Sequence, residues 1–157
     1  RLAARGDLFV PLQRARADII TVNPPYLPAR GGPDAPPPRG AARAWEGGPD
    51  GRELIDRICA GAREHLRPGG ALLMVHSALI GVRPTLAALR DGGLRASVVA
   101  RERGAFGPLV RERAGELRAR GLLQPGQETE DLVVIRALAP ALRAPAGGTA
   151  PSAAGRA

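Results

Sequence analysis

Apolar positions along the chain fall into two rhythms, one of strands and one of helices. Residues 17–22, Ala-Asp-Ile-Ile-Thr-Val, form a β-branched run that predicts a short strand, and Asn23-Pro24-Pro25 stops it abruptly. Residues 27–49 are rich in Pro, Gly and Ala and predict a long loop, a length that is uncommon without structure and often functional. Asp50 to about Leu66 predicts a helix, because Leu54, Ile55, Ile58, Ala62 and Leu66 recur at helical spacing, and Arg67-Pro68-Gly69-Gly70 ends it. Ala71–His76 is a continuous apolar strand of the kind covered on both faces. A helix at about Arg83–Asp91 ends at Gly92-Gly93, a strand follows at 94–101, and Pro108–Gly121 predicts one polar amphipathic helix. Glu130–Ile135 is the last strand. From residue 138 on, the sequence is Ala, Pro, Gly, Arg, Leu, Ser and Thr, which lacks the apolar content to order itself, so 138–157 is expected to be a disordered tail after a domain spanning 1–137.

Strands alternating with helices predict an α/β fold with a largely parallel sheet, in which ligands meet the carboxyl ends of the strands. Asn23–Tyr26 lies at one such end. Composition changes the picture little: 157 residues suit one domain, and 44% hydrophobic content suits a buried core. Aromatics make up only 3%, so the core must be aliphatic. The net charge is +8 and every basic residue is Arg. That charge suits an acidic or nucleic-acid partner, but the arginines are scattered rather than blocked, which favours a compositional origin. Cys59 is the only cysteine, which excludes an internal disulfide and suits a reducing, cytoplasmic setting. It sits in a helical apolar pattern and reads as a buried inert thiol. No apolar run reaches membrane-spanning length, so no membrane association is expected. The opening Arg1-Leu2-Ala3-Ala4-Arg5 reads like the middle of a domain, so the chain is expected to be truncated at its start.

The segment Asn23-Pro24-Pro25-Tyr26 carries the chemistry. An Asn side chain offers one acceptor and two donors, which can hold a planar amide through paired hydrogen bonds. The prolines fix φ and remove two backbone donors, leaving the Pro24 carbonyl to accept from the same nitrogen. Tyr26 adds an aromatic face for a planar or cationic group. Together they can hold an –NH₂ on an sp² carbon with its nitrogen turned toward an electrophilic methyl group, and orientation is the main contribution. Asn-Pro alone is a routine turn. The preceding strand, the second Pro and the aromatic favour the functional reading.

Asn-Pro-Pro-Tyr after an apolar strand resembles the signature of S-adenosylmethionine (SAM)-dependent amino-methyltransferases. Gly6-Asp7-Leu8-Phe9, Ala17-Asp18-Ile19-Ile20 and Asn23–Tyr26 together resemble the HemK/PrmC protein glutamine methyltransferases. Ala44-Trp45-Glu46-Gly47-Gly48-Pro49-Asp50-Gly51-Arg52 and Pro125-Gly126-Gln127-Glu128-Thr129-Glu130 resemble its HemK2/Mtq2 branch. The resemblance spans about residues 5–137. It implies the C-terminal half of a Rossmann-like class I methyltransferase sheet, about strands 3 to 7, with the last strand antiparallel. It implies that Asn23 and the Pro24 carbonyl bind the substrate glutamine amide, with Pro25 beside them and Tyr26 packed against it. It implies that Asp7, ending a preceding strand, contacts the adenine part of SAM, with Asn23 also at the cofactor, and that Trp45 and Arg52 line the substrate mouth, residues 27–49 forming a substrate loop. A release factor as protein substrate and a small activating partner subunit are further implications. The family's Gly-rich loop after its first strand, and the acidic residue ending its second, have no counterpart in residues 1–157.

Other polar residues read more plainly. His65 suits a helix end. His76 suits a strand end near the site edge. Two His and one Cys without ligand spacing give no metal signal. Glu112, Arg113, Glu116 and Arg120 suit a solvated helix face with i,i+4 pairs, and Asp50 suits a cap of the helix after it. Two alternatives to glutamine methylation stay open: methylation of an exocyclic amine in DNA or RNA, which the charge favours, and a truncated, inactive remnant, which the missing Gly-rich segment favours.

Overall fold

A computed structural model describes residues 3–34, 36, 37 and 39–142. Four strands form one sheet in the order β1-β2-β4-β3: β1 Ala17–Val22, β2 Leu66–Ser77, β3 Arg95–Ala105 and β4 Thr129–Leu138. β1 runs parallel to β2, and β4 lies antiparallel between β2 and β3. The α/β class and the antiparallel last strand follow the sequence expectation. The four strands are those the periodicity predicts, and the further strand that the resemblance implies before them is not seen among the described residues. Among the described residues Gly6–Phe9 forms bends and turns leading into a 3₁₀ turn at Val10–Leu12, so Asp7 ends no strand. No helix among the described residues is long and apolar enough to cross a membrane.

Helices α1 (Glu53–Ala62) and α2 (Val82–Asp91) cover one face of the sheet. Ile55, Ile58, Cys59 and Ala62 of α1 and Leu89 of α2 pack on Leu72, Met74, Val133, Ile135 and Ala137. That layer puts the carboxyl end of β1 beside the loop that precedes α1. The expected helix 108–121 is two short ones, α3 (Pro108–Glu112) and α4 (Ala114–Ala119), broken where Arg113 leaves helical geometry at φ −98°, ψ 6°. A second, smaller core forms there from Leu27, Phe106, Val110, Ala114, Leu117 and Leu123. The chain remains ordered past the expected boundary at 137: Leu138 ends β4, and Ala139 is buried and donates its N–H to the Gly70 carbonyl. Residues 143–157 of the expected tail lie outside the described residues.

Candidate active site

β1 ends at Val22, and the polypeptide turns through Asn23-Pro24-Pro25-Tyr26 with every peptide trans. Asn23 is exposed, Pro24 buried, and Pro25 and Tyr26 half-buried. The amide of Asn23 is thus open to a ligand while the prolines behind it are packed. Two glycines grip this corner from the other end of the 27–49 loop. A Cβ on Gly47 would lie 2.5 Å from the Pro25 carbonyl oxygen. A Cβ on Gly51, at φ +82°, would collide with the Tyr26 carbonyl. Only glycine permits such backbone contact, and Gly51 also needs a left-handed conformation. The Trp45–Arg52 stretch is therefore the structural counterpart of the diproline corner.

Backbone hydrogen bonds stitch the two arms of the loop into a short ribbon. Leu27 N donates to Trp45 O (2.8 Å), Gly47 N to Leu27 O (2.9 Å) and Ala29 N to Gly48 O (2.8 Å). The expected featureless loop therefore has an ordered base, with 3₁₀ turns at Gly32–Asp34 and Gly40–Ala44. Trp45 packs half-buried against the second core. Arg52 is committed inward: its guanidinium donates to the carbonyls of Ile80 (2.9 Å) and Gly81 (3.1 Å), to Thr85 Oγ1 (3.2 Å) and to Asp56 Oδ1 (2.6 Å). It joins α1 to the start of α2 rather than presenting free donors to a substrate. Asp50 accepts from Arg52 N (2.9 Å) one turn before the helix, and the N-cap position is Arg52 itself.

Behind Tyr26 lies a buried polar pair. The Ser77 hydroxyl donates to Glu130 Oε2 at 2.5 Å, and Tyr26, Ser77 and Glu130 line one small apolar-walled cavity. Burial, reinforced by the Glu130 charge, raises the Tyr26 phenol above its ordinary value, so the ring stays neutral and works by shape. His76 does not reach the site edge. It is fully buried, and Nδ1 donates to the Ser77 carbonyl (2.9 Å), which leaves Nε2 without a partner among the described residues. Burial lowers its pKa, partly opposed by that hydrogen bond. His65 stacks on Phe9 (centroids 4.5 Å apart) and bonds to the Ala15 carbonyl through Nδ1, a packing role.

Asp7 faces an open cleft of about 830 Å³, lined also by Leu8, Ala29, Gly48, Glu53 and Arg57. Its Oδ2 accepts from Arg57 Nη2 at 2.5 Å. Asn23 is not among the residues lining that cleft, which Asp7 shares with Glu46, Gly48 and Pro49 of the stretch that faces Asn23–Tyr26.

No protein-family model matches the chain. Curated relatives do. It is 33% identical over 105 residues to a putative protein N5-glutamine methyltransferase of Methanocaldococcus jannaschii, covering 67% of this chain and 52% of the relative. It is 46% identical over 71 residues to the ribosomal protein uL3 glutamine methyltransferase of Bradyrhizobium diazoefficiens, covering 44% of this chain and 22% of that one. The chain belongs to the HemK-like glutamine methyltransferases. Within this family it also matches the release factor glutamine methyltransferase of Gloeobacter violaceus, at 36% identity over 88 residues, 54% of this chain and 30% of the relative. Its fold matches Mtq2 in the solved E. cuniculi Mtq2–Trm112 complex, with a TM-score of 0.52 at 20% identity over 87% of this chain and 60% of that chain. The HemK-like chain thus spans about half the length, or less, of the curated relatives it matches.

Sequence reasoning missed three participants. Gly47 and Gly51 belong to the stretch that carries the family resemblance, but their contact with the diproline corner emerges only in the folded chain. Arg113 was read as a surface residue but is buried, its guanidinium paired with Glu116 and 3.7 Å from Glu46. Glutamate three and four residues from two arginines has the same sequence pattern whether a helix face meets water or a loop.

Proposed function

We propose that this chain forms the substrate-holding half of an enzyme that methylates the side-chain amide nitrogen of a glutamine in a translation release factor. The observation that carries the reading is the exposed Asn23 amide standing on a packed, glycine-gripped diproline corner. In this mechanism Asn23 Oδ1 accepts one N–H of the substrate amide, and Asn23 Nδ2 donates to the substrate carbonyl. The Pro24 carbonyl accepts the second N–H, and Pro25 has no N–H to compete for it. Tyr26, neutral and half-buried, bounds the plane of the amide. The two accepted hydrogen bonds fix the nitrogen and aim it outward, so the chain contributes orientation rather than a strong base.

The cofactor is S-adenosylmethionine, which supplies an electrophilic methyl group. The residues present fit part of it. The Asp7 carboxylate, 60% exposed and paired with Arg57, lines a cleft of ligand size and would accept from an adenine amine with its remaining lone pairs, whereas Asn23 lies outside that lining and is left to hold the substrate amide. A small activating subunit of the kind bound to Mtq2 belongs to the same proposal. Mass spectrometry of a release factor incubated with SAM and the protein that contains this chain tests it. A methyl group on one glutamine is expected. Methylated uL3 or methylated nucleic acid, with the release factor unmodified, would overturn the substrate assignment.

A further inference from the structure

Four charged side chains run in a line from the loop to α4 and back. Glu46 Oε1 lies 3.7 Å from Arg113 Nη1, Arg113 forms a two-pronged pair with Glu116 (3.0 and 3.1 Å), and Glu116 Oε1 also accepts from Arg120 at 3.4 Å. Arg120 then donates to the carbonyls of Ala29 (2.9 Å) and Pro49, one on each arm of the stitched loop. Arg30 adds an outer tie to Glu112 at 2.5 Å. Arg113 is only 3% exposed and Glu46 8%, so this line is not the solvated helix face that its spacing suggests. Arginine suits the task because its planar fork can serve two acceptors at once, which a lysine ammonium cannot do with the same geometry.

We infer that Arg120, held by Glu116 and Arg113, is a positioning residue that clamps both arms of the 27–49 loop and so keeps Gly47 and Gly51 pressed on the diproline corner. The inference rests on the methyl-transfer reading for its consequence but not for its geometry. Arg120 touches no reacting atom. Its effect passes through the carbonyls of Ala29 and Pro49 to the ribbon that carries Leu27, Trp45 and Gly47. Loosening the clamp lets the ribbon open, which lowers the fraction of molecules with a formed corner.

The loop carries its own reporters, because Arg30, Arg39 and Arg43 are trypsin sites. Limited trypsinolysis of the full 157-residue chain, comparing Arg120→Gln with wild type, reads loop opening without any methyl transfer. Arg118→Gln is the control: it lies in the last turn of α4, two residues before Arg120, and among the described residues its side chain bonds to the Gln127 carbonyl and not to the loop. Cleavage at Arg39 and Arg43 is expected to speed up roughly tenfold or more in Arg120→Gln, the scale of a lost charge-assisted hydrogen bond, and to stay unchanged in Arg118→Gln. Arg120→Lys keeps the charge and the stem. Hydrogen exchange at the Leu27, Ala29 and Gly47 amides in that variant, expected to be faster than in wild type, gives a second reading should Arg120→Gln unfold. In the methyl-transfer assay both variants are expected to raise KM more than they lower kcat. Unchanged cleavage in a folded Arg120→Gln, or unchanged exchange in Arg120→Lys, overturns the clamp. Faster opening without methyl transfer by wild type would leave the clamp standing and reject the activity.

Discussion

At the scale of single residues, neighbours fix how large a side chain can be and which charge state it holds. Gly51 has φ +82° and its missing Cβ faces the Tyr26 carbonyl. Gly51→Ala is expected to cost at least about 2 kcal/mol, from the left-handed backbone and the collision together, as read by urea denaturation. A loss below about 0.5 kcal/mol, within the range of ordinary surface substitutions, would mean the corner is not gripped. His76 supplies a pH test. Its folded pKa lies below the ordinary 6.5, so the unfolded chain takes up the proton first. Its contribution is therefore present above 6.5 and is lost as pH falls from there toward the folded value. Thermal melts between roughly pH 8 and 5 are expected to fall less steeply in His76→Leu than in wild type; equal slopes would contradict the assignment. Cys59 was legible from its apolar helical setting and is fully buried, its thiol pushed up to about 11 mainly by desolvation. It is expected to resist alkylation at mildly alkaline pH in the folded chain and to react once denatured.

At the scale of elements, periodicity located each strand and helix of the sheet layer, because burial on one face imposes the period directly. It located their ends less well. β2 starts at Leu66, not Ala71, because Leu66 pairs with Ala17 across an irregularity in register and the strand carries Pro68-Gly69-Gly70 within it. Pro and Gly are punctuation in a sequence, but they are tolerated at strand starts and bulges. The helix expected over 108–121 breaks at Arg113, whose buried guanidinium bonds to Glu116 and lies 3.7 Å from Glu46, and Gly115 just beyond weakens helical continuity. β4, by contrast, was legible from its apolar run Leu132–Ile135, and it pairs on both sides. Ile135, fully buried between Met74 and Val98, is its centre. Ile135→Ala is expected to cost about 2–5 kcal/mol by denaturant melt, and a cost under about 1 kcal/mol would remove β4 from the core.

At the scale of the molecule, the class of fold and the diproline corner were both readable because each is set by local chemistry: a hydrophobic period and a run of residues with restricted backbones. The way the corner is braced was not readable, since Gly47, Gly51, Arg113 and Arg120 act across 20 to 100 residues of intervening chain and only folding brings them together. The expected role of Arg52 at a substrate mouth failed for the same reason: its donors are claimed by Ile80, Gly81, Thr85 and Asp56. What unites the levels is that a packed, glycine-gripped corner presents the exposed Asn23 amide. The most direct test is the rate of methyl transfer to a release-factor glutamine by wild type and by Asn23→Ala, with thermal melts in parallel. Asn23 is exposed, so the variant is expected to melt like wild type while kcat falls about a hundredfold through lost orientation. Equal rates in two equally stable proteins would contradict the claim that this amide holds the reacting nitrogen.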